Sequence, residues 1–245
     1  MRVLHINTFG TGGAFTGLYR LHIALREAGV DSKILIRDEV DKRMNVEVYR
    51  CTNFFRRENI INRIGFKLGI ATTKYQKRKK KLKNLKNGNY EIISFPFSDI
   101  DITKSKFYKD ADIINFHWVG DFVDFKTFFR KNKKPLVWTI RDSNPFMGIF
   151  HLQNDYRRNS EQWKAVDYEI REFKEKQLQK SYSKPSVVGI SDFITKQTRS
   201  SDLLGKYCAK RIYNCISVFE VWLQIAAIFK INCCLELQSG LRTCS

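Results

Sequence analysis

Two short runs constrain the fold of this chain most strongly, PLVWTI at residues 135–140 and SVVGIS at residues 186–191. Apolar side chains dominate both runs, which is typical of strands that are buried on both faces. A long charged segment at residues 160–183 separates them, and its composition predicts a helix. Buried strands joined by a helix favour a parallel sheet that carries helices on its faces.

The same alternation of strand-like and helix-like segments extends over most of the chain. RVLHIN at residues 2–7 is strand-like and leads into a glycine-rich loop. Residues 16–30 then carry apolar side chains with a helical period, which Gly29 closes. Further strands are predicted at 32–37, 90–96 and 111–118, and a short helix at 124–132. The pattern predicts an α/β fold with a single Rossmann-like, doubly wound parallel sheet.

The excess of positive charge is concentrated in one segment. The chain has a formal net charge of +19, and residues 56–86 contain twelve Lys or Arg but a single acid. Apolar residues at near-helical spacing predict a basic amphipathic insertion at 53–87, for which an anionic membrane surface is the favoured partner. No nucleic-acid-binding motif accompanies it, and a solvated surface helix remains the alternative. The centre of the insertion is the run Lys77, Arg78, Lys79, Lys80 and Lys81.

Targeting and cysteine patterns indicate the compartment. Met1 and Arg2 lead directly into the first strand, and no window offers the ~20 uninterrupted apolar residues of a membrane span. We therefore expect a cytoplasmic protein, either free or peripheral at the inner face of the cell membrane. Five of the six cysteines lie in the last 38 residues, without a CxxC pair or a nearby histidine. Neither a metal site nor a disulfide framework is expected from that pattern.

Ligands of a doubly wound sheet bind beyond the carboxyl ends of its strands, which selects four loops. They are GTGG after the first strand, HWVG after ADIINF, RDSNPF after LVWTI and SD after VVGI. In the first loop, Gly12 and Gly13 begin a helix, where backbone amides and the helix dipole can bind phosphate. A dinucleotide fingerprint would need a third glycine at Phe15, which argues against a nicotinamide-dependent oxidoreductase. A tight turn without a ligand is equally compatible with this loop.

The loops after ADIINF and LVWTI supply the other candidates. His117 has the chemistry of a general acid or base, and Trp118 offers a surface on which a sugar ring can stack. Arg141 presents a cationic fork that suits phosphate, Asp142 can orient it, and Asn144 lies in the following turn. Each group also has a structural alternative. The His–Trp pair could simply close the sheet, and the Arg–Asp pair could be an ordinary surface ion pair.

Taken in order, four segments resemble the N-terminal half of bacterial glycosyltransferases of family 4, in a branch involved in cell-surface polysaccharide assembly. They are VLHINTFGTGGA, YRLHIALREAGVDSKIL, ADIINFHWVGDF and KKPLVWTIRDSNPF, and the resemblance covers residues 1–215. It implies a GT-B architecture, in which an N-terminal Rossmann-like domain holds the acceptor and a second domain holds the nucleotide sugar. The implied reaction transfers a sugar from that nucleotide sugar to a saccharide or lipid-linked acceptor, without a metal or another cofactor.

The resemblance also assigns roles to individual residues. Gly12 and Gly13 would lie against the donor phosphates and the transferred sugar. The implied catalytic set is Arg141, Asp142 and His117, and the implied acceptor contacts are Trp118 and Asn144. Arg141 stands where the family carries a histidine, and an arginine can bind phosphate or a hydroxyl but cannot act as a base. The family's G-C-H-Y segment is also absent from GIFHLQNDYRR.

Residues 216–245 depart from the family pattern. RIYNCISVFEVW begins like the family's interdomain passage and then loses the pattern, and basic residues become sparse. We expect an aberrant or truncated tail here, so that a donor domain would have to be supplied in trans and the chain alone would be inactive. A non-catalytic, membrane-docked binding module, or a remnant of the enzyme, is the alternative to a transferase.

Overall fold

The computed structural model describes residues 1–38, 48–51, 82, 85, 87–207 and 209–214. These residues form an α/β fold around one seven-stranded sheet, in which every strand pair is parallel. This architecture confirms the predicted fold class. The basic residues Lys77 to Lys81, most of the 53–87 insertion and the 216–245 tail lie outside the described residues.

The strands follow the order β3-β2-β1-β4-β5-β6-β7 across the sheet. They are β1 (Arg2–Asn7), β2 (Asp31–Ile36), β3 (Val48–Arg50), β4 (Ile113–Phe116), β5 (Leu136–Ile140), β6 (Ser186–Gly189) and β7 (Ala209–Arg211). The helices of the described residues are α1 (Gly12–Glu27), α2 (Lys106–Asp110), α3 (Phe125–Lys131), α4 (Gln153–Arg158), α5 (Glu161–Gln179) and α6 (Asp192–Arg199), with 3-10 turns at Ile102–Lys104 and Asn144–Phe146. Within these described ranges, no helix combines the length and the apolar character that crossing a membrane requires.

The two faces of the sheet bury different side chains, because successive residues of a strand point to opposite sides. On one face Phe116 of β4 packs against Phe128 of α3 and Trp138 of β5, with ring centroids 4.6 and 5.8 Å away. On the other face Phe15 of α1 clusters with Ile34 of β2. The parallel register brings the carboxyl ends of β1, β4 and β5 side by side at one edge of the sheet.

The first helix begins earlier than the sequence pattern predicts. It starts at Gly12 rather than at residue 16 and ends at Glu27. Gly29 adopts a φ of 78° and donates its N–H to the carbonyl of Arg26 at 2.9 Å. This left-handed glycine ends the helix, as the sequence predicts.

The prediction of a strand at residues 90–96 is wrong. Ile93 forms only an isolated bridge, and the segment joins no ladder of the sheet. The side chain of Asp121 accepts the backbone N–H of Phe95 at 2.9 Å, so a carboxylate takes a donor that a neighbouring strand would otherwise pair. Pro96 has no N–H with which to continue a ladder. Apolar content alone was therefore insufficient to make this segment a strand.

Gly148 tests the packing of the loop that follows β5. A Cβ at this position would overlap the backbone carbonyl of Asp167 in α5, whereas a Cβ at Gly13 would meet nothing within 4 Å. We expect Gly148→Ala to lower the free energy of unfolding by ~1–3 kcal/mol or more, because backbone cannot yield as a flexible side chain does. Gly13→Ala, the matched control in a helix, should be neutral or stabilising by up to ~1 kcal/mol. Urea unfolding of both variants measures this, and equal stabilities would contradict the packing described.

Candidate functional site

Backbone hydrogen bonds join the loops that follow β1 and β4. Thr8 donates its N–H to the carbonyl of Trp118 at 2.7 Å, and Trp118 donates its N–H to Oδ1 of Asn7 at 2.8 Å. The hydroxyl of Thr8 donates to the carbonyl of Gly120 at 2.8 Å. These bonds fix the backbone on both sides of Trp118, and they fix the opposite directions in which His117 and Trp118 point.

A hydrogen-bond chain runs along one side of this edge, from Arg141 to His5. Nη1 of Arg141 donates to Oδ1 of Asn214 at 2.8 Å, while Nε and Nη2 lie 3.3 and 3.2 Å from Nδ1 of His117. Nε2 of His117 lies 3.0 Å from Nδ1 of His5. A guanidinium can only donate, so Nδ1 of His117 must accept, and the ring hydrogen must be on Nε2. That hydrogen in turn points to Nδ1 of His5.

The histidines of this region are buried and neutral. Burial, with a contribution from Arg141, holds the pKa of His117 well below its ordinary value. Burial lowers the pKa of His5 to about 3, and burial lowers that of His22 to about 4. His22 also contacts the hydroxyl of Ser32 at 2.8 Å. His117 is 1% exposed and both of its ring nitrogens are engaged, so the ring supports Arg141 from below rather than facing solvent.

Gly17 is the point at which α1 approaches this chain. A Cβ at Gly17 would overlap Nη1 of Arg141 and lie 2.9 Å from Oδ1 of Asn214. Glycine therefore leaves room for the guanidinium between the helix and the strand ends. Phe15 of α1, which stands where a dinucleotide fingerprint would have its third glycine, is fully buried and clusters with Ile34 of β2.

The glycine loop leaves its backbone open. Gly12 has a φ of 82° and begins α1, and an added Cβ at Gly12 or Gly13 would meet no atom within 4 Å. The N-cap residue Thr11 is extended, and its side chain makes no capping hydrogen bond. The first amides of α1 thus have the geometry that phosphate groups use at helix N-termini.

A second cluster lies on the other side of the edge, around Trp118. The indole stacks on the ring of His151 with centroids 4.7 Å apart, and it also packs against Phe9 at 4.7 Å. Nδ1 of His151 lies 2.7 Å from Oδ2 of Asp142 and 2.9 Å from Nε1 of Trp118, and its Nε2 lies 2.7 Å from the hydroxyl of Ser94. The stacked ring of His151, which Asp142 fixes in turn, therefore holds Trp118 in place.

The connectivity of Asp142, His151 and Ser94 matches that of a serine-hydrolase triad. Ser94, however, is completely buried, and its hydroxyl packs so closely on Gly120 that an added Cβ there would overlap it. A nucleophile must reach a substrate carbonyl, which this hydroxyl cannot do in the structure. The three side chains form a structural brace.

The predicted acceptor contact Asn144 faces into its own loop. Its Nδ2 donates to the carbonyl of Ile149 at 3.0 Å. The ammonium of Lys174 donates to the Asn144 carbonyl at 2.7 Å, to Oδ1 of Asn144 at 3.2 Å and to the Met147 carbonyl at 2.9 Å. Burial lowers the pKa of Lys174 to about 7. The two side chains fix the shape of the loop after β5.

Sequence reasoning missed several members of these clusters. Polar residues at alternating positions of apolar strands were the available signal, since His5, Asn115 and Thr139 share one face of the sheet. Thr139 donates its hydroxyl to Oδ1 of Asn115 at 3.0 Å. His151 and Lys174 lay outside any strand end, so the rule that selected the loops did not reach them.

Comparison with known proteins adds no family assignment. The sequence matches no protein-family model, and it matches no curated protein.

The buried histidines predict a loss of stability in acid. His5, His22 and His117 each bind a proton in the unfolded chain near pH 6.5 but only at much lower pH when folded, so unfolding takes up protons and stability falls as the pH drops below about 6.5. For His22, with a folded pKa of about 4, linkage gives a loss on the order of 1.3 kcal/mol between pH 7.5 and pH 5.5. His22→Asn should therefore flatten the pH dependence by about that amount in urea unfolding at the two pH values. An unchanged pH dependence in the variant would refute the neutral, buried state of His22.

Proposed function

We propose that residues 1–214 form the acceptor-binding domain of a GT-B glycosyltransferase. The enzyme would transfer a sugar from a nucleotide sugar to a saccharide or lipid-linked acceptor during assembly of a cell-surface polysaccharide. The observation that carries the proposal is the combination, at one sheet edge, of an open Gly12–Gly13 helix start with Trp118 and Arg141. The order of these residues along the chain and their resemblance to family 4 give the proposal its chemistry.

The phosphate side of the proposed site combines two kinds of donor. The first amides of α1 at Gly12 and Gly13 are uncapped by the Thr11 side chain and sterically open. Arg141 adds a permanent positive charge beneath the same helix, where Gly17 leaves room for it. Backbone amides and a fixed guanidinium together suit the diphosphate of a nucleotide sugar.

The sugar side of the proposed site is the Trp118 ring. Its contacts with Phe9 and His151 fix the orientation of the indole before any ligand arrives. A preoriented aromatic ring that is partly exposed offers an apolar surface to the C–H groups of a sugar.

Among the residues that the resemblance marks as catalytic, Asp142 suits the acceptor hydroxyl best. His117 is buried beneath Arg141, and Arg141 can only donate hydrogen bonds. The side chain of Asp142 is 20% exposed and already held by His151. We therefore assign Asp142 the orientation of the acceptor hydroxyl and Arg141 the binding of phosphate.

In this proposal, the acceptor and the donor bind to different domains. The described residues supply one Rossmann-like sheet, whereas the implied reaction uses a second domain to hold the nucleotide sugar. We expect this domain to bind saccharides by itself and to bind nucleotide sugars weakly, with transfer requiring the donor domain.

Saturation-transfer NMR with a panel of neutral oligosaccharides tests the proposal. We expect at least one oligosaccharide to receive saturation, and Trp118→Ala to weaken its binding about three- to tenfold, because the stacking surface is lost. Tyr182→Ala, which removes an aromatic ring that is 77% exposed and distant in sequence from the site, is the matched control and should bind normally.

Two results would count against the proposed function. One is the absence of any saccharide signal from the folded wild-type chain. The other is equal binding by the wild-type chain and by Trp118→Ala. Tight, stoichiometric binding of a nucleotide sugar in calorimetry would instead contradict the proposed separation of donor and acceptor sites.

A further inference from the structure

A separate cleft of about 640 Å³ lies between the 3-10 turn at Asn144–Phe146 and helices α4, α5 and α6. Residues at helical spacing line it, so that each helix contributes one face. The cleft adjoins the loop after β5, where the hydroxyl of Ser143 donates to Oε1 of Gln197 at 3.3 Å. None of the residues assigned to the sugar or phosphate contacts above lines this cleft.

Three cations from three helices face the cleft, namely Arg157 of α4, Arg171 of α5 and Lys196 of α6. Within the described part of the chain, Arg157 and Lys196 have no carboxylate at ion-pair distance. Arg171 lies 3.7 Å from Asp202, whose side chain is 85% exposed, so this pair is weak.

The cleft also contains a carboxylate that does not neutralise these cations directly. Asp167 is 3% exposed, and its Oδ1 accepts the backbone N–H groups of Ile149 and Phe150 at 2.6 and 3.1 Å. Oδ1 of Asp167 is thus directed towards the loop. The cleft lining therefore carries three cations against two carboxylates, Asp167 and Asp202.

The number and origin of the cations favour phosphate over carboxylate as the ligand group. A carboxylate has two oxygens and pairs best with one guanidinium. A terminal phosphate has three oxygens and up to two negative charges, which suits two guanidinium groups and an ammonium on separate elements.

An exposed aromatic ring lies beside the cations. Phe193 in the first turn of α6 is 68% exposed, and it lines the cleft together with Met147 and Tyr156. An apolar surface next to these three cations matches a ligand in which a phosphate is attached to an apolar or aromatic group.

We infer that this cleft binds a phosphate monoester with an apolar or aromatic organic group. The phosphate contacts Arg157, Arg171 and Lys196, and the organic group packs on Phe193. Prenyl phosphates and nucleoside monophosphates both carry this chemistry. The inference goes beyond the proposed glycosyl transfer and stands independently of it.

Calorimetry on the full chain tests the inference with three probes: inorganic phosphate, geranyl monophosphate and uridine 5′-monophosphate. We expect one of the two organic phosphates to bind at least about tenfold more tightly than inorganic phosphate, since it gains the apolar contact. Tighter binding of geranyl monophosphate identifies a lipid source for the ligand, and tighter binding of the nucleotide identifies a soluble source.

Variants separate the cleft from general attraction to a basic chain. Arg157→Ala/Lys196→Ala should weaken binding of the preferred probe about tenfold or more, because charge-assisted hydrogen bonds are lost. Lys126→Ala/Lys180→Ala removes the same charge from exposed positions outside the cleft and should leave binding unchanged. Phe193→Ala should weaken binding of the organic phosphate but not of inorganic phosphate, whereas Tyr182→Ala should change the binding of neither.

Three outcomes would overturn the inference. The first is equal affinity for inorganic phosphate and both organic phosphates. The second is an equal loss of binding in the two double variants, which would assign the affinity to the net charge of +19 rather than to the cleft. The third is binding that is insensitive to Phe193→Ala. None of these results depends on whether the chain binds saccharides, so they leave the proposed transferase function untouched.

Discussion

The hydrogen-bond chain from Arg141 through His117 to His5 is the interaction on which the carboxyl edge of the sheet depends. It ties the ends of β5 and β4 to β1, and Nη1 of Arg141 extends it to Asn214 beyond β7. Because the guanidinium only donates, His117 can relay the chain only as a neutral ring that accepts on one nitrogen and donates from the other. Burial maintains that neutral state, and loss of one member would leave a polar or charged partner unpaired at the edge.

The edge has two sides because consecutive residues of a strand point in opposite directions. His117 supports Arg141 on one side, while its neighbour Trp118 stacks on His151 on the other. At the end of β5, Arg141 and Asp142 divide in the same way, since Asp142 pairs with His151. Two neighbouring strand ends thereby position a cation, a carboxylate and an aromatic ring beside the open start of α1. This arrangement is the physical basis of the proposed phosphate and sugar contacts.

The sheet could be predicted because its central strands are continuous apolar runs, and the strand-end rule then selected four residues that cluster, His117, Trp118, Arg141 and Asp142. The rule did not find the partners that irregular loops contribute. His151 follows no strand, and the three oxygens that receive the Lys174 ammonium belong to Asn144 and Met147, about 30 positions earlier in the chain. The segment at 90–96 failed for a related reason, since Asp121 captures a backbone donor that apolar patterning cannot foresee.

Nitrogen-15 NMR of the imidazole rings tests the hydrogen-bond chain from Arg141 to His5. Long-range proton–nitrogen correlation at pH 6 reports which ring nitrogen carries the hydrogen in each of the four histidines. The hydrogen-bond chain predicts that His117 is neutral with its hydrogen on Nε2, and that Nδ1 of His5 acts as an acceptor. A protonated His117, or a hydrogen on its Nδ1, would place two donors against each other at Arg141 and contradict the account.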